Sequence, residues 1–82
     1  MTQSADTEAL VRFLVTSLVD NPDSVDIAKR VSGDSVAYEV SLHPDDVGKV
    51  IGRQGRIIKA IRTLARASAG TTSEHVDVEV LG

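Results

Sequence analysis

Val47-Gly48-Lys49-Val50-Ile51-Gly52-Arg53-Gln54-Gly55-Arg56-Ile57-Ile58-Lys59-Ala60-Ile61-Arg62 decides how the rest of the chain is read. It predicts a short apolar helix that stops at Gly52, a tight turn, and a second helix starting near Gly55. A glycine at each end of Gly52-Arg53-Gln54-Gly55 allows positive φ and lets the backbone approach a partner with no Cβ in the way. The helix that follows directs unsatisfied N–H groups and the positive end of its dipole at the turn, a setting that suits phosphate. Lys49, Arg53, Arg56 and Lys59 all lie within a few residues of it.

A lone G-x-x-G arises often by chance at ordinary glycine content, so its weight comes from what surrounds it. Here Val50-Ile51 precedes and Ile57-Ile58 follows, which makes the turn a joint between two helices with apolar faces. With those flanks the pattern resembles the signature of the KH nucleic-acid-binding domain, a family whose loop clamps a short run of single-stranded backbone.

Eighty-two residues suffice for one small domain with a modest core, expected to span 1–82, and leave no room for a separate catalytic domain. The absence of cysteine removes disulfides, thiolate metal sites and thiol nucleophiles, and fits a reducing cytoplasm. No signal peptide or membrane span is expected from the amino-terminal Met1-Thr2-Gln3-Ser4-Ala5-Asp6. A net charge of −3 argues at first against a polyanionic partner, but the distribution reverses that. Val47 to Ser73 holds six basic residues and no acidic one, whereas the remainder carries −9. Because salt screens exposed charges beyond about 8–10 Å, the local patch matters more than the total.

Asp6 or Ser4 is placed to cap a first helix over about 6–19, with Leu10, Phe13 or Leu14, and Leu18 recurring at helical spacing. Pro22 ends it. Val25, Ile27 and Val31 share a parity and predict a strand over about 25–31, with Lys29 on that parity marking an edge strand or a bulge. Ser32-Gly33-Asp34 reads as a hairpin turn, and Val36, Tyr38, Val40 and Leu42 then alternate with polar or small residues in a strand over about 35–42. Pro44-Asp45-Asp46 starts the short helix over about 45–51, with proline at the first helical position and carboxylates at its positive end. In the helix over about 55–69, Ile57, Ile58, Ile61, Leu64, Ala65 and Ser68 fall in one arc and Arg56, Lys59, Arg62, Thr63 and Arg66 in the other. Gly70-Thr71-Thr72-Ser73 is a polar connection to a last strand over about 75–81.

The predicted fold is α+β in the order α-β-β-α-α-β, a three-stranded mixed sheet with helices on one face, its last strand entering parallel by a right-handed crossover. With the chain ending at Gly82, no C-terminal helix is expected, and the order resembles the bacterial type II KH form. More closely, the stretch Ser17-Leu18-Val19-Asp20-Asn21-Pro22 together with Gly48 through Arg56 resembles the small single-domain bacterial KH proteins of the KhpA family. That resemblance implies post-transcriptional regulation or RNA chaperoning in the cytoplasm, and self-association or pairing with a second KH-containing protein.

The expected partner is single-stranded RNA, with Gly52 and Gly55 against successive phosphates and Arg53 and Gln54 reaching their oxygens. Lys49, Arg56 and Lys59 complete the expected backbone site, and Val50, Ile51 and Ile58 are candidates for an apolar groove for bases. Arg62 and Arg66 are read as a solvated helix face. Phe13 and Tyr38 alone supply aromatic surface, too little for a stacking platform. His43 and His75 are solitary, and neither a Walker loop nor a G-x-S-x-G elbow is present, so no metal, cofactor, small-molecule substrate or enzymatic activity is expected. The alternative is a protein-interaction or dimerisation module on the same frame with weak or no RNA binding, motivated by the acidic strand faces and the negative total.

Overall fold

The computed structural model describes residues 3–69 and 75–81. Its order is α1 (Gln3–Leu18), β1 (Asp26–Ser32), β2 (Ser35–Ser41), α2 (Val47–Ile51), α3 (Arg56–Ser68) and β3 (His75–Leu81), with 3-10 turns at Pro22–Ser24, Pro44–Asp46 and Arg53–Gly55. This is the α+β arrangement expected of a KH domain. The polar connection 70–74 lies outside the described residues.

The sheet is ordered β1-β2-β3, with β1 antiparallel and β3 parallel to β2. β1 is an edge strand whose register runs unbroken from Asp26 opposite Ser41 to Ser32 opposite Ser35, so it carries no bulge. The hairpin closes through Gly33-Asp34, and Gly33 takes φ +58°, a value that a side chain disfavours. Val36, Tyr38 and Val40 of β2 and Val76 and Val78 of β3 point to one face, where Val50, Ile58, Ile61 and Ala65 cover them. β3 follows β2 in parallel only because two helices intervene, which is the length a crossover needs.

Three inward expectations fail. On β1 only Ile27 is buried and Val31 is 65% exposed, because α2 and α3 lie against β3 at the opposite edge of the sheet. α1 begins at Gln3, so Ser4 and Asp6 lie within its first turns rather than before it; its buried stripe is Thr7, Val11 and Val15. Phe13 is 66% exposed and Leu18 is partly exposed, while Leu10 and Leu14 are half-buried on the flank. The stripe 7-11-15 has the same four-residue step as 10-14-18 one face away, and packing on α3 selects the shorter side chains, with the Thr7 hydroxyl 3.2 Å from that of Ser68. On α3, Leu64 is likewise exposed, leaving Ile58, Ile61 and Ala65 as the core contacts.

Two polar side chains hold the start of α2. His43 Nδ1 accepts the Asp45 amide at 3.1 Å, so this histidine caps the Pro44–Asp46 turn rather than standing free at the surface. Asp46 is fully buried and does more than favour the helix dipole. Its carboxylate accepts from the amides of Asp20 (3.3 Å) and Asn21 (3.0 Å), from Asn21 Nδ2 (3.1 Å) and from Lys49 Nζ (3.3 Å). A buried charge persists only when its oxygens are satisfied in this way. Burial alone would push the Asp46 carboxyl up; the Asn21 side chain, the two amides and Lys49 outweigh it and hold the group below its ordinary 3.8. Lys49 is raised above its ordinary 10.5 by its hydrogen bonds to Asp20 and Asp46, against the cost of desolvation.

A carboxyl lowered in the folded state stabilises above its unfolded value, and that contribution disappears as pH falls through the folded one. Thermal melts should therefore lose stability as pH drops from about 5 toward 2, and Asp46→Asn should flatten that part of the profile. The packing of α1 is checked by truncation: Val11→Ala should cost about 2 kcal/mol in chemical denaturation, whereas Phe13→Ala should stay within about 0.5 kcal/mol.

Candidate nucleic-acid interface

α2 ends where Gly52 donates its amide to Gly48 O at 2.9 Å and takes φ 75°, ψ 176°, a region essentially reserved for glycine. A Cβ there would lie 2.6 Å from Ile57 Cγ1. Gly52 is thus required twice, by its torsion angles and by the side chain folded over it. Gly55 differs: at φ 73°, ψ 19° it is left-handed, yet a Cβ would meet only Ile58 Cγ2, at 3.7 Å. The surface over Gly55 is open.

Between them Gln54 adopts φ 57°, ψ 24°, the one non-glycine with positive φ among the described residues. Gly55 N–H bonds Gly52 O at 3.2 Å and Arg56 N–H bonds Arg53 O, which tightens the turn directly into α3. Successive amides held in turn conformations of mixed hand form the type of concavity that receives anions. Arg53 and Gln54 project from its rim and are exposed.

The basic stripe divides into two sets. Arg53, Arg56 and Lys59 are exposed and form no ion pair with any described residue. The other three are engaged. Lys49 reaches back along α2, away from the turn, to Asp20 at 3.1 Å and Asp46 at 3.3 Å. Arg62 Nε lies 2.8 Å from Asp77 and donates to Val78 O at 3.0 Å; Arg66 Nε donates to Val76 O at 2.9 Å. Arg62 and Arg66 therefore brace β3 along its outer edge, where carbonyls would otherwise invite another strand.

Of the three groove candidates, Val50 and Ile58 are buried in the core and only Ile51 keeps surface beside the turn. Ile57, assigned to the core face by its angle, is the second half-buried aliphatic there, because it crosses Gly52. No signal in the sequence marked Asp46 as buried, whereas His43-Pro44-Asp45-Asp46 does carry the pattern of a capped turn. Among the described residues no cluster of His, Cys, Asp or Glu is arranged to hold a metal, and no helix is long and apolar enough to cross a membrane.

Comparison with known proteins adds to this geometry. The family described as KhpA/KhpB, KH domain, matches residues 8–80. A protein named RNA-binding protein KhpA from Oceanobacillus iheyensis is 43% identical over 74 residues, 90% of this chain and 99% of that one. Proteins of the same name from Bacillus subtilis and Streptomyces coelicolor are 41% and 48% identical, covering 89% and 88% of this chain and 90% and 94% of their own lengths. No solved structure matches significantly. With the glycine-bounded turn, the αββααβ order and these relatives in agreement, the chain belongs to the KhpA/KhpB family of KH domains, which are not enzymes.

Proposed function

We propose that the chain binds single-stranded RNA by clamping its sugar–phosphate backbone at Gly52-Arg53-Gln54-Gly55. The observation that carries this reading is the pairing of an open surface over Gly55 with three cationic side chains, Arg53, Arg56 and Lys59, that have no acidic partner among the described residues. The names of the relatives support it. Phosphate oxygens take the place of the missing carboxylates, and the start of α3 adds its dipole. Lys49 is left out of the clamp because its ammonium is committed to Asp20 and Asp46. Ile51 and Ile57 offer a narrow apolar ledge beside the turn, so contacts to bases are few and binding is tolerant of sequence. We assign the protein to the cytoplasm, as a post-transcriptional regulator or RNA chaperone that gains avidity by pairing with itself or with a second KH-containing protein.

A second reading, a protein-interaction module with weak RNA binding, draws on the exposed apolar side chains Phe13, Leu64 and Leu81. Solution mass measured beside an RNA titration separates the two, since a pure interaction module associates and leaves RNA unshifted.

The direct test keeps both glycines. Arg53→Asp with Gln54→Asp reverses the charge of the rim, and Asp tolerates the left-handed backbone at position 54. Affinity for a short single strand should fall by about tenfold or more as attraction turns to repulsion; binding as tight as that of the unmodified protein would dismiss the clamp. Salt titration gives a second measure: three phosphate contacts predict a log–log slope of about −2, with Arg56→Gln and Lys59→Gln each removing about 0.7. Arg62→Gln should leave that slope nearly as it was. The two glycines should also part company: Gly52→Ala should lower stability by roughly 1–3 kcal/mol through strain, and Gly55→Ala by only about 1 kcal/mol.

A further inference from the structure

α2 is a helix of five residues with one fully buried side chain, Val50, and a single turn has no cooperative stability of its own. Its direction must come from what holds its ends. Its carboxyl end runs through Gly52 into the turn that bears Arg53 and Gln54. At its amino end Asp46 occupies the N-cap position, with φ −99° and ψ −9°, yet makes no capping bond to its own helix. The carboxylate instead reaches a segment more than twenty residues earlier, taking three donors from Asp20 and Asn21 just past the end of α1, and Lys49 as a fourth.

Those contacts close a ring. α1 is seated on α3 through its buried Thr7, Val11 and Val15, and α3 begins with Arg56 and carries Lys59 one turn on. Asp46 joins α2 back to α1. The two halves of the clamp, Arg53-Gln54 at the end of α2 and Arg56-Lys59 at the start of α3, are therefore connected both directly through Gly55 and indirectly around the ring. We propose that Asp46 is a positioning residue for the Gly52–Gly55 turn: by locking the start of α2 to the segment Asp20-Asn21 it sets the angle at which Arg53 and Gln54 face Arg56 and Lys59. The effect on RNA rests on the clamp reading above; the effect on the turn does not.

The chemistry selects the side chain. All four partners are donors, so an acceptor-only carboxylate suits the position and a carboxamide would set an NH₂ group against N–H groups. Asp46→Asn is thus a break of nearly constant shape. In the free protein it should move the backbone amide resonances of Gly52 to Gly55 while the hairpin resonances stay in place. Affinity for a short single-stranded RNA, measured well below the melting temperature, should fall about tenfold, within the range by which mutations in a supporting network alter a distant site. Asn21→Ala, which removes one of the donors, should move the same amides less.

Two controls separate positioning from mere stability and from failure of the clamp. Val36→Ala, at the hairpin end of β2, is a core truncation outside the ring and should lower the melting temperature without moving the turn amides or the affinity. In the Arg53→Asp, Gln54→Asp background, Asp46→Asn should add no further loss of affinity. Unmoved turn amides in Asp46→Asn would overturn the proposal, and so would an equal loss of affinity in Val36→Ala at matched stability. Should Asp46→Asn fail to fold, the Asn21→Ala shifts decide in its place. If the rim variant itself binds RNA normally, the clamp reading is what has failed, and the amide shifts still judge the ring.

Discussion

Turning the chain from α2 into α3 within the four residues Gly52-Arg53-Gln54-Gly55 is the constraint on which the site depends. Only a backbone that enters the positive-φ region at Gly52, Gln54 and Gly55 can do so, and only a residue without a Cβ at 52 lets Ile57 fold across the joint. The two glycines consequently have unlike tasks. Gly52 serves the interior, closing α2 against α3; Gly55 serves the exterior, leaving a bare stretch of backbone at the start of a positive dipole. A motif read as one device is, physically, a packing requirement followed by an exposed approach.

Charge is organised by the same geometry. Six basic residues in a run without an acid look like one continuous patch, but a helix projects its side chains in all directions and each takes the nearest acceptor within reach. Lys49 finds Asp20 and Asp46 behind it; Arg62 and Arg66 find the outer edge of β3. Of the six, only Arg53, Arg56 and Lys59, grouped about the turn, are left with neither an ion pair nor a side-chain hydrogen bond to a described residue. The ionic footprint offered to a phosphate strand is thus about half of what the composition suggests, and it is more sharply localised.

Buried polarity supplies the remaining order. A small domain whose first helix touches the others mainly through Val and Thr side chains has few large apolar contacts with which to fix orientation. Asp46 contributes direction, since hydrogen bonds specify angles that dispersion leaves free. On the other side of the molecule, β1 has little interior to hold: Ile27 is its sole buried side chain, and the strand is retained by its ladder to β2 and the Arg30–Glu39 pair at 2.8 Å.

Local rules, read from the sequence alone, determined the identity and order of the elements, the alternation of β2 and β3, the hairpin at Gly33 and the glycine-bounded turn. Each of these depends on neighbours a few residues away, and torsion preference and periodicity are properties of neighbours. What only the tertiary structure decided was selection among equals. The stripes 7-11-15 and 10-14-18 on α1 have identical spacing, and contact with α3 chose the former; Val31 and Ile27 share a parity, and the reach of the helices buried one of them. Asp45 and Asp46 are adjacent carboxylates at one helix start, yet one is solvated and the other accepts three donors from the distant segment Asp20-Asn21 and a fourth from Lys49 on its own helix. The division of the basic residues into engaged and available ones belongs to the same class, because an ion pair depends on where a fold brings charges together, and distance in space is not written in distance along a chain.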